Sequence, residues 1–377
     1  MHRVVAFLLA CLLSAAAAAG PRARDLGIPF DGTPGPLNAI TDVAGVTVGQ
    51  ATLIEDLAGG RKVRTGVTAV LPRGTQSFSA PAYGAWFPLN GNGEMTGTAW
   101  IDESGQIEGP VMITNTHSVG VVRDAVIAWR VRKGGADASG YWWSLPVVAE
   151  TYDGHLNDIN GFHVKPADVD RALDSARGGP VDEGNVGGGT GMICHEFKCG
   201  IGTASRRVTV AGREWTLGVL VQANYGIRDT LRIAGVPVGQ HLRNDRIYTD
   251  PALQPADTGS IIVVVATDAP LLPHQLKRIA RRPALGLGRM GSYAGNGSGD
   301  LFVAFSTANA QALEGAPLVQ STSLGNDQLD PLFLATVQAT EEAIVNAMIA
   351  ARDMTGQDGR YAKAIPHAEL MRLLKQK

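Results

Sequence analysis

The chain is poor in the residues that mark several protein classes. Only three of its 377 residues are cysteine, so no disulfide-dense scaffold is encoded. Charged residues make up 18% of the chain, below the ordinary share of about 25%. With 33 Lys+Arg against 35 Asp+Glu, the formal net charge is −2. That balance supplies no basic footprint for nucleic acid or for an anionic membrane. Beyond the first segment, no apolar run reaches the roughly 20 residues that a spanning helix needs without meeting charge or glycine. A Gly-Lys-Ser/Thr phosphate loop, a Ser-x-x-Lys pair and a Gly-x-Ser-x-Gly elbow are all missing, which removes the usual nucleotide and serine-hydrolase signatures. Gly187-Gly188-Gly189-Thr190-Gly191 fails the dinucleotide spacing because residue 192 is Met. His195-Glu196-x-x-Cys199 lacks the second His of a zinc motif, and Cys194, His195 and Glu196 are too poorly spaced for a structural site. Nothing in the sequence points to a metal or other cofactor.

Glycine, by contrast, is abundant: 47 of 377 residues, against an ordinary share of roughly 7%. Without a Gly-x-y period it serves turns and close backbone contacts. Hydrophobic residues at 45% are enough for a sizeable core. Residues 1–19, MHRVVAFLLACLLSAAAAA, place Arg3 before an apolar run and Ala17-x-Ala19 at its end, the outline of a secretory signal. Leu8-Leu9-Ala10-Cys11 has the shape of a lipoprotein box, but Cys11 comes early and apolar sequence follows it. The expectation is cleavage after Ala19 and a periplasmic or secreted protein with no membrane attachment after signal removal. Cys194 and Cys199 then remain, either as a small-loop disulfide or as two buried thiols.

Short apolar runs bounded by Gly, Pro, Asn and Asp predict strands at Val43–Val48, Val67–Leu71, Val111–Thr114, Leu217–Gln222, Ser260–Ala266 and Leu301–Phe305. Ser118–Arg132, Pro273–Arg282 and Asp330–Ala351 carry helical periodicity, the first opening on a capping Ser118 with Val121, Ala125, Ala128 and Trp129 on one face. In the third, Leu334, Val337, Ile344, Val345 and Met348 align. Residues 237–257 read as a polar surface loop. This mixture predicts one layered domain of α+β or α/β class, 20–377, without linkers or repeats. Ser260–Ala266 is apolar on both faces and belongs at the centre of a covered sheet.

One constellation remains. Thr258-Gly259-Ser260 enters that central strand. Around it stand Thr-Asp-Val-Ala-Gly-Val-Thr-Val-Gly (41–49), Gly-Asn-Gly-Glu-Met-Thr-Gly (91–97), Thr-Asn-Thr-His-Ser-Val-Gly (114–120) and Pro-Val-Val-Ala-Glu-Thr-Tyr-Asp-Gly (146–154). Leu-Asn-Asp-Ile (156–159), Gly-Asn-Val-Gly-Gly-Gly-Thr-Gly-Met (184–192), Gly-Ile-Gly-Thr-Ala-Ser-Arg (200–206), Ala-Thr-Asp-Ala-Pro-Leu (266–271) and Gly-Ser-Tyr-Ala-Gly-Asn-Gly-Ser-Gly-Asp (291–300) complete the set. In this order the blocks resemble the L-aminopeptidase/D-esterase family, which includes the β-aminopeptidases, from about residue 25 to about residue 350.

The resemblance implies an α+β fold, an αββα sandwich similar to N-terminal-nucleophile hydrolases but with different connectivity. It implies self-cleavage at Gly259-Ser260 into pieces 20–259 and 260–377 that stay associated and assemble into a homo-oligomer. Ser260 is then the nucleophile. A hydroxyl is a poor nucleophile until a base takes its proton, and the freed α-amine, with an ordinary pKa of about 7.7–8.0, can be that base. Gly259, without a side chain, permits the strained backbone that self-attack requires. By the same resemblance Ser298 and Asp300 orient the nucleophile, although the β-aminopeptidase pattern has Glu where this chain has the shorter Asp300. Tyr152 and Asn224 line the acyl-oxygen site, and Glu150 binds the substrate's free amine. Read without the family, Glu150 is a buried acid with local hydrogen bonds, Asn224-Tyr225-Gly226 a turn, and Gly297-Ser298-Gly299 a loop tip. Glu94, Asn115 and His117 lie in the shared blocks without an assigned role. The function implied is an exported aminopeptidase acting on small peptides, amides or esters through an acyl-enzyme. The competing readings are a solute-binding protein without turnover and an acyltransferase of related fold.

Overall fold

In the computed structural model residues 20–134, 142–247, 259–310 and 317–376 are described. The expected signal segment 1–19 and Thr258 lie outside them, as does the latter part of the expected loop 237–257. The strands are β1 (Thr47–Asp56), β2 (Lys62–Leu71), β3 (Ala82–Pro88), β4 (Gln106–Ile107), β5 (Val111–Asn115), β6 (Val147–Thr151), β7 (Ile193–Cys194), β8 (Phe197–Lys198), β9 (Ile201–Val210), β10 (Arg213–Asn224), β11 (Ser260–Thr267) and β12 (Gly299–Ser306). The helices are α1 (Thr98–Ser104), α2 (Val119–Arg132), α3 (Pro166–Asp174), α4 (Pro273–Ala280), α5 (Pro283–Arg289), α6 (Asp330–Ile349) and α7 (His367–Leu374).

Two large sheets result, one of four strands in the order β1-β2-β5-β6 and one of six in the order β4-β3-β12-β11-β10-β9, beside two-stranded pairs such as β7-β8. Within the larger sheet β11 and β12 run parallel, while all other neighbours are antiparallel. Side chains on a strand alternate between faces, and β11 shows what that achieves. Ile261, Val263 and Val265 join a cluster with Leu276 and Ile279 of α4 and Ala343, Ile344 and Ala347 of α6. Ile262, Val264 and Ala266 point the other way, into a cluster with Ile113 of β5 and Ala149 of β6. A third cluster sets Val67, Ala69, Met112 and Val148 of the small sheet against Val122, Val126 and Trp129 of α2 and Val169 and Leu173 of α3. The layers are therefore helix, sheet, sheet, helix, the αββα sandwich expected. Every residue of β11 is buried, and each valine side chain withdrawn from water contributes about 1.5–3 kcal/mol.

All six expected strands are present, and β2 and β10 extend beyond their apolar runs. The first is displaced: Gly45 turns at φ 88, so β1 starts at Thr47 rather than Val43. Ser118 does not cap α2 with its side chain, because a 3-10 turn over Thr116–Ser118 leads directly into the helix. Ala128 is exposed, as is Leu334 at 51%, while Val337, Ile344, Val345 and Met348 are buried as read. The stretch after Pro237 is not wholly superficial either, since Val238 and Leu242 are buried. Cys194 and Cys199 are joined in a disulfide. Among the described residues no helix is long and apolar enough to cross a membrane.

Residues 22–38 bind a buried polar edge of α6 that also faces β9. Arg24 and Arg206 each place a nitrogen 2.7 Å from Glu342, Asn38 Nδ2 donates to the same carboxylate, and Ala23 N–H donates to Asn346 Oδ1. Removing one partner from such a buried charge network leaves the others uncompensated, which is costly.

Candidate active site

The register of the large sheet brings distant residues into one row. Ser260, first residue of β11, pairs with Asn224 at the end of β10 on one side and with Gly299 at the start of β12 on the other. The Gly299 N–H donates to the Ser260 hydroxyl oxygen at 3.3 Å and to the Gly259 carbonyl oxygen at 3.1 Å. Gly259 fits here for want of a side chain. A Cβ on it would lie 2.2 Å from the Asn224 carbonyl oxygen and 2.4 Å from Tyr225 Cα. The structure thus gives this glycine a need for room.

Ser298 and Asp300 flank Gly299, and both are fully buried. Ser298 Oγ donates to Asp300 Oδ1 at 2.7 Å, so the aspartate reaches the serine despite its shorter side chain. Its second oxygen, Oδ2, accepts from Asn90 Nδ2 at 3.2 Å. Asn90 has no place in the sequence reading.

On the other side of Ser260 the sheets are stitched together. Asn224 Nδ2 donates to the Tyr152 carbonyl oxygen at 2.9 Å, and Asn224 Oδ1 accepts from Ile193 N at 2.9 Å. Gln222 Nε2 reaches Thr114 O and Thr151 Oγ1. Tyr152, just past the end of β6, is half exposed, and its ring folds over Gly154, where a Cβ would stand 2.3 Å from the phenol oxygen. Ile193 belongs to the β7–β8 hairpin, and the fully buried Lys198 of that hairpin donates from Nζ to the carbonyls of Met192 and Cys199. Burial pushes its pKa well down.

Glu150, near the end of β6, is buried and accepts from Glu94 N at 3.0 Å and from Thr116 Oγ1. Desolvation outweighs these bonds and raises its pKa; the Glu94 charge adds to the rise and His117 opposes it. These are the hydrogen bonds a structural acid would have. Glu94 therefore contributes a backbone donor and a nearby charge. His117 stacks on Phe162 at 5.9 Å. Asn115 donates to Thr65 in a buried polar group beside Asp153, which itself accepts from Asn157 Nδ2 at 3.0 Å.

Burial raises the pKa of Asp153 to about 7, against hydrogen bonds from Thr65, Asn157 and Asn115. The folded state then holds a proton that the unfolded chain releases near the ordinary aspartate pKa of 3.8. Stability from this group is full below the unfolded pKa and declines as pH rises toward 7. Asp153→Asn, compared with wild type in thermal melts at pH 5 and pH 7.5, is expected to flatten that decline.

The glycine-rich turn at 187–189 is structural. Gly187 N and Gly188 N donate to Thr52 and Thr68, and a Cβ on Gly188 would meet Gln222 Oε1 at 2.1 Å.

A profile of peptidase family S58 matches residues 38–362. The chain is 55% identical over 382 residues to the β-peptidyl aminopeptidase BapA of Sphingosinicella microcystinivorans, covering 97% of this chain and 94% of that protein. Among solved structures it resembles the L-aminopeptidase D-ala-esterase/amidase of Ochrobactrum anthropi, described as a prototype for the serine aminopeptidases and a variant of the Ntn hydrolase fold. There the identity is 53%, the TM-score 0.88, and the coverage 94% of this chain and 98% of that one. It also resembles a β-aminopeptidase from Burkholderia sp., with 48% identity, a TM-score of 0.85, and coverage of 94% and 99%.

Proposed function

The chain belongs to peptidase family S58 and is a serine aminopeptidase of the N-terminal-nucleophile type, and we propose that it acts through Ser260 after cutting its own Gly259–Ser260 bond. This membership sets aside the solute-binding alternative. The observation that carries the proposal is the Gly299 N–H, which donates both to the oxygen that would attack and to the carbonyl oxygen that would receive negative charge. Such a donor gains strength as the oxyanion forms.

In the first turnover Ser260 Oγ attacks the Gly259 carbonyl carbon and loses its proton, while the Ser260 nitrogen leaves with one. The result is an ester on Oγ and a free α-amine. Water then hydrolyses the ester, giving Gly259 a carboxylate end. In later turnovers the α-amine takes the hydroxyl proton. The substrate's ammonium pairs with Glu150. Its acyl oxygen meets Asn224 Nδ2, which has two hydrogens and spends one on the Tyr152 carbonyl, and the Tyr152 hydroxyl. The leaving amine or alcohol departs with a proton, and water clears the acyl group from Ser260.

The substrates proposed are small peptides, amides or esters with a free N-terminal L-, D- or β-amino acid. This follows the names of the relatives. The enzyme is exported by residues 1–19, which are removed in the process, and works as a homo-oligomer of two-piece protomers. Intact mass spectrometry of the purified protein is expected to give pieces 20–259 and 260–377, the second starting at Ser260. A single whole chain with full activity would refute the reading. Product analysis with water against an added amine then separates hydrolysis from acyl transfer.

A further inference from the structure

We propose that Asn90 is a positioning residue that fixes the Asp300 carboxylate beside Ser260. The inference rests on the Ser260 reading above. Asn90 lies just past β3, whose antiparallel pairing with β12 ends at Pro88 opposite Leu301. Leu89 N–H extends that ladder by donating to the Asp300 carbonyl at 2.9 Å. The Asn90 side chain then does what a ladder cannot. Its Oδ1 accepts from Asp300 N–H at 2.6 Å. Its Nδ2 donates to Asp300 Oδ2 and to the Gly295 carbonyl, both at 3.2 Å.

The aspartate is therefore held at three points: its backbone N–H and Oδ2 by Asn90, and its Oδ1 by the Ser298 hydroxyl at 2.7 Å. Rotating the carboxylate would break the Asn90 and Ser298 bonds together. The polarity of Ser298 depends on this arrangement. While its hydrogen is committed to Oδ1, its oxygen can only accept from neighbours, and an accepting Ser298 leaves the lone pair of a nearby α-amine free to act as base. A carboxylate free to turn would release that hydrogen, and Ser298 could then donate to the amine and block it.

Asn92 provides the comparison. It laces the same loop from the exposed side, its N–H to the Ser298 carbonyl at 3.3 Å and its Nδ2 to the Gly297 carbonyl at 2.6 Å. No hydrogen bond joins it to Asp300. A residue that merely anchors the loop would behave like Asn92, and one that acts through the carboxylate would not.

The test is a set of purified full-length variants, Asn90→Asp, Asn90→Ala, Asn92→Ala and Ser260→Ala, compared for self-cleavage, kcat, KM and Tm. Asn90→Asp keeps the shape and the acceptor for Asp300 N–H but turns a donor into a carboxylate oxygen facing Asp300. It is expected to lower kcat by about 10²-fold or more, with KM within about twofold, because a misaligned catalytic group costs that much. Asn90→Ala should lose less than Asn90→Asp, and Asn92→Ala at least about tenfold less. Should Asn90→Asp not fold, Asn90→Ala carries the same kcat–KM split. Wild-type kcat in Asn90→Asp, or an equal loss in Asn92→Ala, overturns the inference while Ser260→Ala stays inert. Processing and turnover in Ser260→Ala would overturn the Ser260 reading and this inference with it.

Discussion

Ser260→Ala is expected to leave the chain whole and without aminopeptidase turnover. One hydroxyl is asked to perform two reactions, so its removal abolishes both, and a lost nucleophile in a catalytic unit costs about 10⁴-fold or more. Misfolding would not explain the result, because the residue enters β11 through backbone pairing with Asn224 and Gly299, which alanine preserves. A denaturing gel, with intact masses, should show two pieces for wild type and one for the variant, at similar Tm. A cut variant, or a variant that still turns over peptide amides, would sink the assignment. Ser260→Cys, which restores a nucleophile of similar size, should recover part of the cleavage.

Glu150→Gln is the second large effect. Glutamine keeps the shape and can still bond Thr116 and the Glu94 N–H, but it offers no charge to a substrate ammonium. Truncating one side of a desolvated charge pair costs about 2–5 kcal/mol, so kcat/KM for free-amine substrates should fall by roughly 30- to 5,000-fold, mostly through KM. Self-cleavage, which presents no free amine, should continue. The pH dependence provides an independent reading. Burial raises the Glu150 pKa, so as pH falls the carboxylate becomes neutral above the ordinary carboxylate range and amine binding weakens there. This acid limb in kcat/KM should vanish in the glutamine variant. Unchanged KM for free-amine substrates would remove Glu150 from the site.

The central layers were legible because their signal is apolar. β11 and β12 are covered on both faces and read as unbroken hydrophobic runs. β9 carries no apolar run to mark it, because several of its buried positions are polar. Thr203, Ser205 and Arg206 are each 1% exposed or less, made tolerable by partners such as Val219 O, Asp42 and Glu342. β3 mixes Tyr83, Trp86 and Phe87 with Gly84, and its pattern is that of a partly covered strand near a sheet edge. Ser298, Asp300, Asn224 and Glu150 could be named only through the family resemblance, since each alone reads as a turn or a buried acid. Asn90 carried no such signal. Asn-Gly-Asn-Gly looks like a turn, and its partner Asp300 is 210 residues away, a proximity created only by the pairing of β3 with β12.

That pairing also fixes an order of events. β11 and β12 belong to the piece after the proposed cut, yet they sit between β3 and β10 of the piece before it. The six-stranded sheet is complete in neither piece, and the Ser260 hydroxyl meets the donor at Gly299 through the pairing of β11 with β12. On the proposed mechanism, a chain in which β11 and β12 are not yet paired would lack the Gly299 donor for cutting itself. The scissile bond would then record whether the molecule was ever assembled, and would keep that record after denaturation. The ratio of cut to uncut chain on a boiled gel would count past folding successes in any expression host or mutant library, with no substrate added.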